Sequence, residues 1–190
     1  MIARRWLLPI ALVVGILQIG FLASMIAGRA SVLRSGTEVM LEVRPIDPRD
    51  LLRGDYVVLT YNISRIPVSL LEDVPTEGGE RTLFVRLKAD SQGLWQPVAA
   101  RLDAPPVDPR GDGEVDIRGM TRSSWAPQTE FVDVRYGVER FYVPEGEGRA
   151  IERDMNVRPF RMKVAVTTDG TAQIKSFHDG ETTLYAEPLY

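Results

Sequence analysis

An uncharged apolar segment near the N-terminus, residues 6–27, constrains this chain more than any other feature. It reads WLLPIALVVGILQIGFLASMIA, and Gln18 and Ser24 are its only clearly polar residues. At a rise of 1.5 Å per residue, a helix of this length extends about 33 Å, which matches the hydrocarbon thickness of a bilayer. The sequence therefore predicts a helix that contacts and crosses a lipid bilayer.

The charges that flank this segment predict its orientation. Arg4 and Arg5 precede it, whereas Arg29 alone follows it closely. Since basic residues beside a membrane helix favour the cytoplasmic side, the N-terminus is predicted to lie inside. Residues 31–190 would then form a periplasmic domain, outside the cytoplasmic membrane.

A cleaved signal peptide is the alternative interpretation of the N-terminus. Residues 28–30 (GRA) satisfy the small-residue rule for a cleavage site. The apolar segment is, however, longer than the apolar region of a typical signal peptide. We therefore expect residues 1–30 to act as an uncleaved signal-anchor.

The body that follows the anchor is acidic and has few metal-binding or nucleophilic side chains. All 26 acidic residues and 20 of the 23 basic residues follow Ala30, which leaves residues 31–190 with a formal charge of −6. This charge argues against nucleic acid as a partner, because nucleic-acid binding depends on neutralising phosphates. The chain contains no cysteine and one histidine, His178. We expect no cofactor, since cysteine-ligated and His-pair metal sites are excluded.

Alternating and β-branched segments predict a mostly β body. Asp169-Gly170 joins two such segments and is a strong hairpin signal. Helix signals are limited to a continuation of the anchor over residues 30–35 and to one or two turns at residues 68–73 and 147–154. We predict one compact β-barrel or β-sandwich-like domain of eight to ten strands with one or two short helices. The predicted strands span residues 38–44, 56–63, 82–88, 95–102, 115–117, 131–143 (bent, or divided at Gly137), 160–168 and 172–177.

The densest group of charged residues lies between the first two predicted strands. Residues 45–56 read PIDPRDLLRGDY, with three carboxylates and two guanidinium groups. The prolines and the glycine favour a turn, and two interpretations stay open. The turn is either a rigid connection stabilised by Arg–Asp pairs, or a ligand, metal or partner site held by rigid strands. The candidate residues are Asp47, Arg49, Asp50, Arg53, Gly54, Asp55 and Tyr56.

Residues 54–61, GDYVVLTY, resemble the signature of the GDYXXLXY family of bacterial membrane-anchored proteins. The preceding residues 47–50 (DPRD) match as well. Residues 136–148 (YGVERFYVPEGEG) resemble the later aromatic and acidic block of that family. The resemblance covers nearly the whole chain. It implies an anchored β-rich domain and companion multi-pass membrane proteins, and it implies no assigned activity.

The strand period indicates what the two motif blocks do in the fold. Leu59 and Tyr61 share one face of a strand and are predicted to lie in the core. Glu139 shares a face with Phe141, so its carboxylate is expected to point inward and to need a partner. We hypothesise that the two blocks meet in space and that Glu139 pairs with an arginine of the turn, Arg49 or Arg53. The candidate residues of the second block are Tyr136, Gly137, Glu139 and Glu145.

Three functions are consistent with these features. The first is a non-catalytic accessory or assembly subunit for a multi-pass membrane partner, with Gln18 facing a partner helix because a polar group inside a bilayer is costly unless bonded. The second is a module that binds a cell-envelope ligand through residues 47–56. The third is a carboxylate-based hydrolase, although no spacing selects a catalytic pair. The carboxylates considered for it are Asp47, Asp50, Asp55, Glu139 and Glu145.

Asp47, Asp50 and Asp55 are oxygen ligands suited to calcium, but two nearby arginines would repel the ion. His178 is expected in a turn beside a strand, either on the surface or hydrogen-bonded to Asp179.

Overall fold

A single long helix leads into the first strand without an intervening loop. The computed structural model describes residues 6–44, 56–73, 79–121, 130–142, 154 and 158–188. Helix α1 spans Leu7–Ser35, which is 29 residues and about 44 Å. It is long and apolar enough to cross a membrane. The predicted helix and its continuation over residues 30–35 are confirmed.

Twelve strands follow α1 within the described residues, more than the eight to ten expected. All strand pairs among them are antiparallel. The strands are β1 (Thr37–Arg44), β2 (Tyr56–Val58), β3 (Thr60–Tyr61), β4 (Arg65–Pro67), β5 (Thr82–Ala89), β6 (Trp95–Leu102), β7 (Glu114–Thr121), β8 (Phe131–Arg135), β9 (Arg140–Tyr142), β10 (Phe160–Val166), β11 (Ala172–Asp179) and β12 (Thr182–Ala186).

The strands form two five-stranded sheets and one short two-stranded ladder. The first sheet has the order β12-β11-β10-β1-β3, and the second has the order β4-β8-β7-β5-β6. Strands β2 and β9 form the ladder. One hydrophobic core joins the sheets, with Val39 and Leu41 from the first and Leu83, Val85 and Ile117 from the second. The body is therefore a sandwich and not a closed barrel, which agrees with the predicted mostly β class.

Several predicted elements agree with the structure. The β5–β6 and β10–β11 hairpins form as expected, and the latter turns at Gly170 with φ of 85°. The segment 131–143 divides at Gly137, whose φ is 82°. A short 3-10 helix at Val68–Leu70 lies in the expected segment. The second expected helix, at residues 147–154, lies outside the described residues except for Asp154.

Other predicted elements were wrong in extent. The segment 56–63 is not one strand, because the chain leaves β9 after Val58 and joins β1 at Thr60. Strand β7 is longer than the predicted residues 115–117, since its polar positions continue the pairing with β5. Strands β4 and β12 were not predicted, because both are short and β12 lies exposed at a sheet edge.

The last two turns of α1 pack against the first sheet. Ala30 and Leu33 are buried there. A Cβ on Gly36 would lie 2.7 Å from the Val32 carbonyl oxygen and 3.0 Å from Ala165 Cβ, so the helix end and β10 approach as closely as glycine permits. The Arg29 guanidinium lies 3.4 Å from the carboxylate of Glu187, which follows β12. These contacts fix the helix to the body.

Candidate functional site

The two motif blocks lie side by side, as hypothesised. Tyr56 pairs with Tyr142 and Val58 pairs with Arg140 in the β2–β9 ladder. The next residue, Leu59, donates its backbone N–H to the Glu139 carbonyl oxygen at 2.7 Å. The chain then passes into the first sheet, so the first block connects the ladder to that sheet.

Two buried tyrosines join the blocks reciprocally. The Tyr61 hydroxyl donates to the Val138 carbonyl oxygen at 2.5 Å. The Tyr136 hydroxyl donates to the Ile63 carbonyl oxygen at 2.7 Å. Burial raises the pKa of both hydroxyls well above the usual value, and the nearby Glu139 carboxylate adds to the shift. Both tyrosines therefore stay protonated and remain hydrogen-bond donors. We call this arrangement the tyrosine interlock.

Glu139 finds its partners in the backbone of its own turn. Its carboxylate accepts the Tyr136 N–H at 2.5 Å and the Gly137 N–H at 2.9 Å. The side chain is half-buried. The expected need for a partner is thus met by backbone donors, which the sequence analysis did not consider. Arg49 and Arg53 lie outside the described residues, so the proposed pairing with them stays a hypothesis.

A turn that follows the first block also contributes contacts that the sequence analysis missed. The Ser64 hydroxyl oxygen accepts the Tyr61 N–H at 3.0 Å. The Asn62 side-chain amide donates to the Trp95 carbonyl oxygen at 2.7 Å and to Gln96 Oε1 at 3.0 Å, which links the turn to β6. Asn and Ser immediately after a strand are a turn signal that would have identified these residues.

The remaining candidate residues lie partly in the core and partly outside the described residues. Leu59 and Tyr61 are buried, as predicted, and so is Tyr136. Gly137 adopts the positive φ of the Glu139 turn. Of Tyr56, only the backbone position in β2 is described. Asp47, Arg49, Asp50, Arg53, Gly54, Asp55 and Glu145 lie outside the described residues.

His178 is not in a surface turn, because strand β11 continues through Asp179. The imidazole is buried between β10 and the edge strand β12. Its Nε2 lies 2.7 Å from the Ser176 hydroxyl and its Nδ1 lies 3.3 Å from the Thr183 hydroxyl. Ser176 and His178 are both buried inside the sheet, and the second ring nitrogen faces a hydroxyl where a catalytic triad has a carboxylate. The geometry is that of a structural hydrogen-bond chain.

The buried histidine gives a prediction for the pH dependence of stability. Burial lowers the pKa of His178, and the nearby Lys163 and Arg161 lower it further. The unfolded chain then binds a proton below about pH 6.5, where the folded chain resists it, so acid favours unfolding. We expect the free energy of unfolding to fall by up to about 1.4 kcal/mol per pH unit from this group as the pH drops below 6.5.

Urea denaturation of the full chain between pH 7.5 and 5.5, compared with His178→Gln, measures this contribution. The variant should show a shallower pH dependence whatever its absolute stability. Parallel pH profiles for the two proteins would contradict the prediction.

The tyrosine interlock gives a second prediction. Tyr61→Phe keeps the ring and leaves the Val138 carbonyl oxygen buried without its donor, so we expect a loss of about 1–3 kcal/mol in the free energy of unfolding. Tyr136→Phe should behave similarly through Ile63. In the double variant, the losses should deviate from additivity, because both bonds hold the same two segments together. Strictly additive losses would show that the two bonds act independently.

Among the residues that the structure describes, no group of three or more His, Asp or Glu side chains is arranged to hold a metal ion. A family model described as GDYXXLXY protein matches residues 18–177. No curated protein and no solved structure matches the chain.

Proposed function

The chain belongs to the GDYXXLXY protein family, and we propose that it is an accessory or assembly subunit for a multi-pass membrane partner. In this proposal α1 is an uncleaved anchor in the cytoplasmic membrane, with the N-terminus inside. The β sandwich is a periplasmic domain without catalytic activity. The charge asymmetry of Arg4 and Arg5 against Arg29 supports the orientation.

The rigid junction between anchor and body carries the proposal. Ala30 and Leu33 belong to the packed interior, and Gly36 leaves no room between helix and sheet. A flexible tether would let the body sample many orientations, whereas this junction holds it at one orientation to the helix. A fixed orientation suits a subunit that must meet a neighbouring membrane protein. It also supports retention of the anchor, since the helix end is part of the fold.

The chemistry of the motif supports a structural role. Tyr61 and Tyr136 direct their hydroxyls to backbone carbonyl oxygens, and Glu139 directs its carboxylate to backbone N–H groups. These polar groups are engaged within the chain. Residues 45–55, which lie between β1 and β2 in the sequence, are the segment that we propose as the contact surface for a partner.

A substitution at Gln18, inside the apolar segment, tests whether α1 contacts a partner helix. Its amide lies near the middle of the apolar segment and makes no hydrogen bond with any described residue. In hydrocarbon such a group needs a partner, and an interhelical hydrogen bond contributes about 0.6–1.7 kcal/mol. Gln18→Leu should therefore lower the yield of a crosslinked membrane partner about three-fold or more.

Ser24→Ala is the matched control. Its hydroxyl already donates to the Phe21 carbonyl oxygen at 2.7 Å and needs no second helix. The control should keep the wild-type yield of partner. Equal yields for wild type, Gln18→Leu and Ser24→Ala would contradict a partner contact at Gln18.

A further inference from the structure

A groove opens where the end of α1 meets the two sheets. Its volume is about 260 Å³, and it reaches Ser35 at the helix end. Val115 of β7 and Val166 of β10 are buried and form an apolar floor. Trp95, which is half-buried, lies at the start of β6 and adds to the wall. The groove therefore lies at the end of the sandwich that adjoins the anchor.

The charge that remains unpaired at this groove is positive. Arg110 lines it and makes no ion pair or hydrogen bond with any residue that the structure describes. By contrast, Arg86, Arg101 and Arg135 each lie within 3.1 Å of a carboxylate oxygen. Arg110 is exposed at the groove, so its guanidinium is accessible to an external anion.

The acidic residue that lines the groove already has its partners. One oxygen of Glu114 accepts the Gly111 N–H at 3.0 Å, and the other accepts Lys88 Nζ at 3.2 Å. These bonds lower the pKa of Glu114, the backbone bond most of all. Glu114 therefore does not neutralise Arg110, and the groove retains a cation for an external anion.

The position of the groove relative to the apolar segment indicates which anion reaches it. Ser35 follows Ala27 by eight residues, or about 12 Å along the helix. The headgroup layer adds about 5–7 Å to the hydrocarbon on each side. Ser35, at the helix end of the groove, then lies a few ångströms above the headgroups, a distance that a long arginine side chain can cover. This step rests on the proposed membrane anchoring.

We propose that this groove binds the phosphate of an anionic lipid headgroup. The Arg110 guanidinium supplies the charge and a geometry suited to phosphate oxygens. The hydroxyls of Thr37 and Thr168, which make no hydrogen bond with a described residue, supply further donors at the rim. Trp95 and the apolar floor contact the less polar part of the lipid. A lipid held there stabilises the orientation of the body on the membrane.

Lipid retention by the full-length chain tests the proposal. The chain is reconstituted into nanodiscs with equal amounts of phosphatidylglycerol and phosphatidylcholine, extracted in mild detergent, and its retained lipids are quantified by mass spectrometry. We expect phosphatidylglycerol to be enriched about five-fold, the ratio that corresponds to about 1 kcal/mol for one arginine at an anionic surface. Arg110→Gln should reduce the ratio to that of the bulk lipid.

Arg118→Gln is the matched control, because this exposed arginine is already held by Asp169 and Thr171. It should retain the enrichment. If both variants lose the enrichment of phosphatidylglycerol equally, the lipid is attracted by diffuse surface charge and the proposed site is overturned.

Competition with inorganic phosphate gives a second test. If millimolar phosphate releases both lipids equally, the groove binds a soluble phosphate and the lipid proposal is overturned. A chain that enters the nanodisc without enrichment refutes only the lipid site, whereas a chain that does not enter refutes the membrane anchoring as well.

Discussion

Replacing Leu59 with alanine is expected to lower the free energy of unfolding by about 2–5 kcal/mol. The side chain is 1% exposed and lies where the chain passes from the β2–β9 ladder to the first sheet. Its removal leaves a cavity next to the tyrosine interlock, and the surrounding strands cannot collapse into the cavity without losing their pairing. Urea denaturation of the full-length chain in detergent micelles, followed by tryptophan fluorescence, measures the loss.

Leu184→Ala removes the same atoms from a different environment. Leu184 is 38% exposed on the edge strand β12. Leu184→Ala should lower the free energy of unfolding by much less than Leu59→Ala does, because the Leu184 side chain buries little apolar area in the folded chain. Comparable losses in the two variants would show that the first motif block is not a packing centre of the fold.

The second large effect is expected at Gly119 of β7. A Cβ there would lie 2.5 Å from Val134 Cγ1 and 2.9 Å from Tyr136 Cδ1. It would also lie 2.8 Å from the Arg135 carbonyl oxygen, so Gly119→Ala must displace β8 as well as the ring whose hydroxyl binds the Ile63 carbonyl oxygen. We expect a loss of about 1–3 kcal/mol in the free energy of unfolding, as for other overpacked interiors.

Gly79→Ala controls for the glycine substitution itself. A Cβ on Gly79 would meet no atom within 4 Å. This variant should be neutral or slightly stabilising, because alanine restricts the unfolded chain more than glycine does. A neutral Gly119→Ala would mean that Tyr136 moves without cost, contrary to its place in the interlock.

The features that the sequence predicted correctly are local ones. The long apolar helix follows from the length and composition of the uncharged segment, and no tertiary contact is needed to recognise it. The burial of Leu59 and Tyr61 follows from the alternation of a strand. The Asp169-Gly170 hairpin follows from the backbone preference of its glycine.

The features that the sequence did not predict depend on distant strands. The change of pairing partner at Leu59 depends on where β1 and β9 lie, and the local pattern is the same on either side of it. His178 precedes a turn signal, yet it is buried because β12 returns to cover it. The sequence led us to expect an arginine partner for Glu139, whereas the backbone N–H groups of Tyr136 and Gly137 bind its carboxylate.

The motif and the junction together suggest how the molecule acts. The interlock joins the two motif blocks through the Tyr61–Val138 and Tyr136–Ile63 hydrogen bonds. The packed helix end holds the sandwich at a defined orientation to the rest of α1. In the proposed role, a body held at one orientation to the helix would lose little conformational entropy on binding a membrane partner.

Crosslinking of the full-length chain in its native membrane, followed by affinity purification and mass spectrometry, tests the proposed function most directly. We expect a multi-pass membrane protein in stoichiometric amount, recovered in lower yield with Gln18→Leu and in unchanged yield with Ser24→Ala. Recovery of the chain as a lone monomer, with no membrane protein above background, would contradict the assembly role.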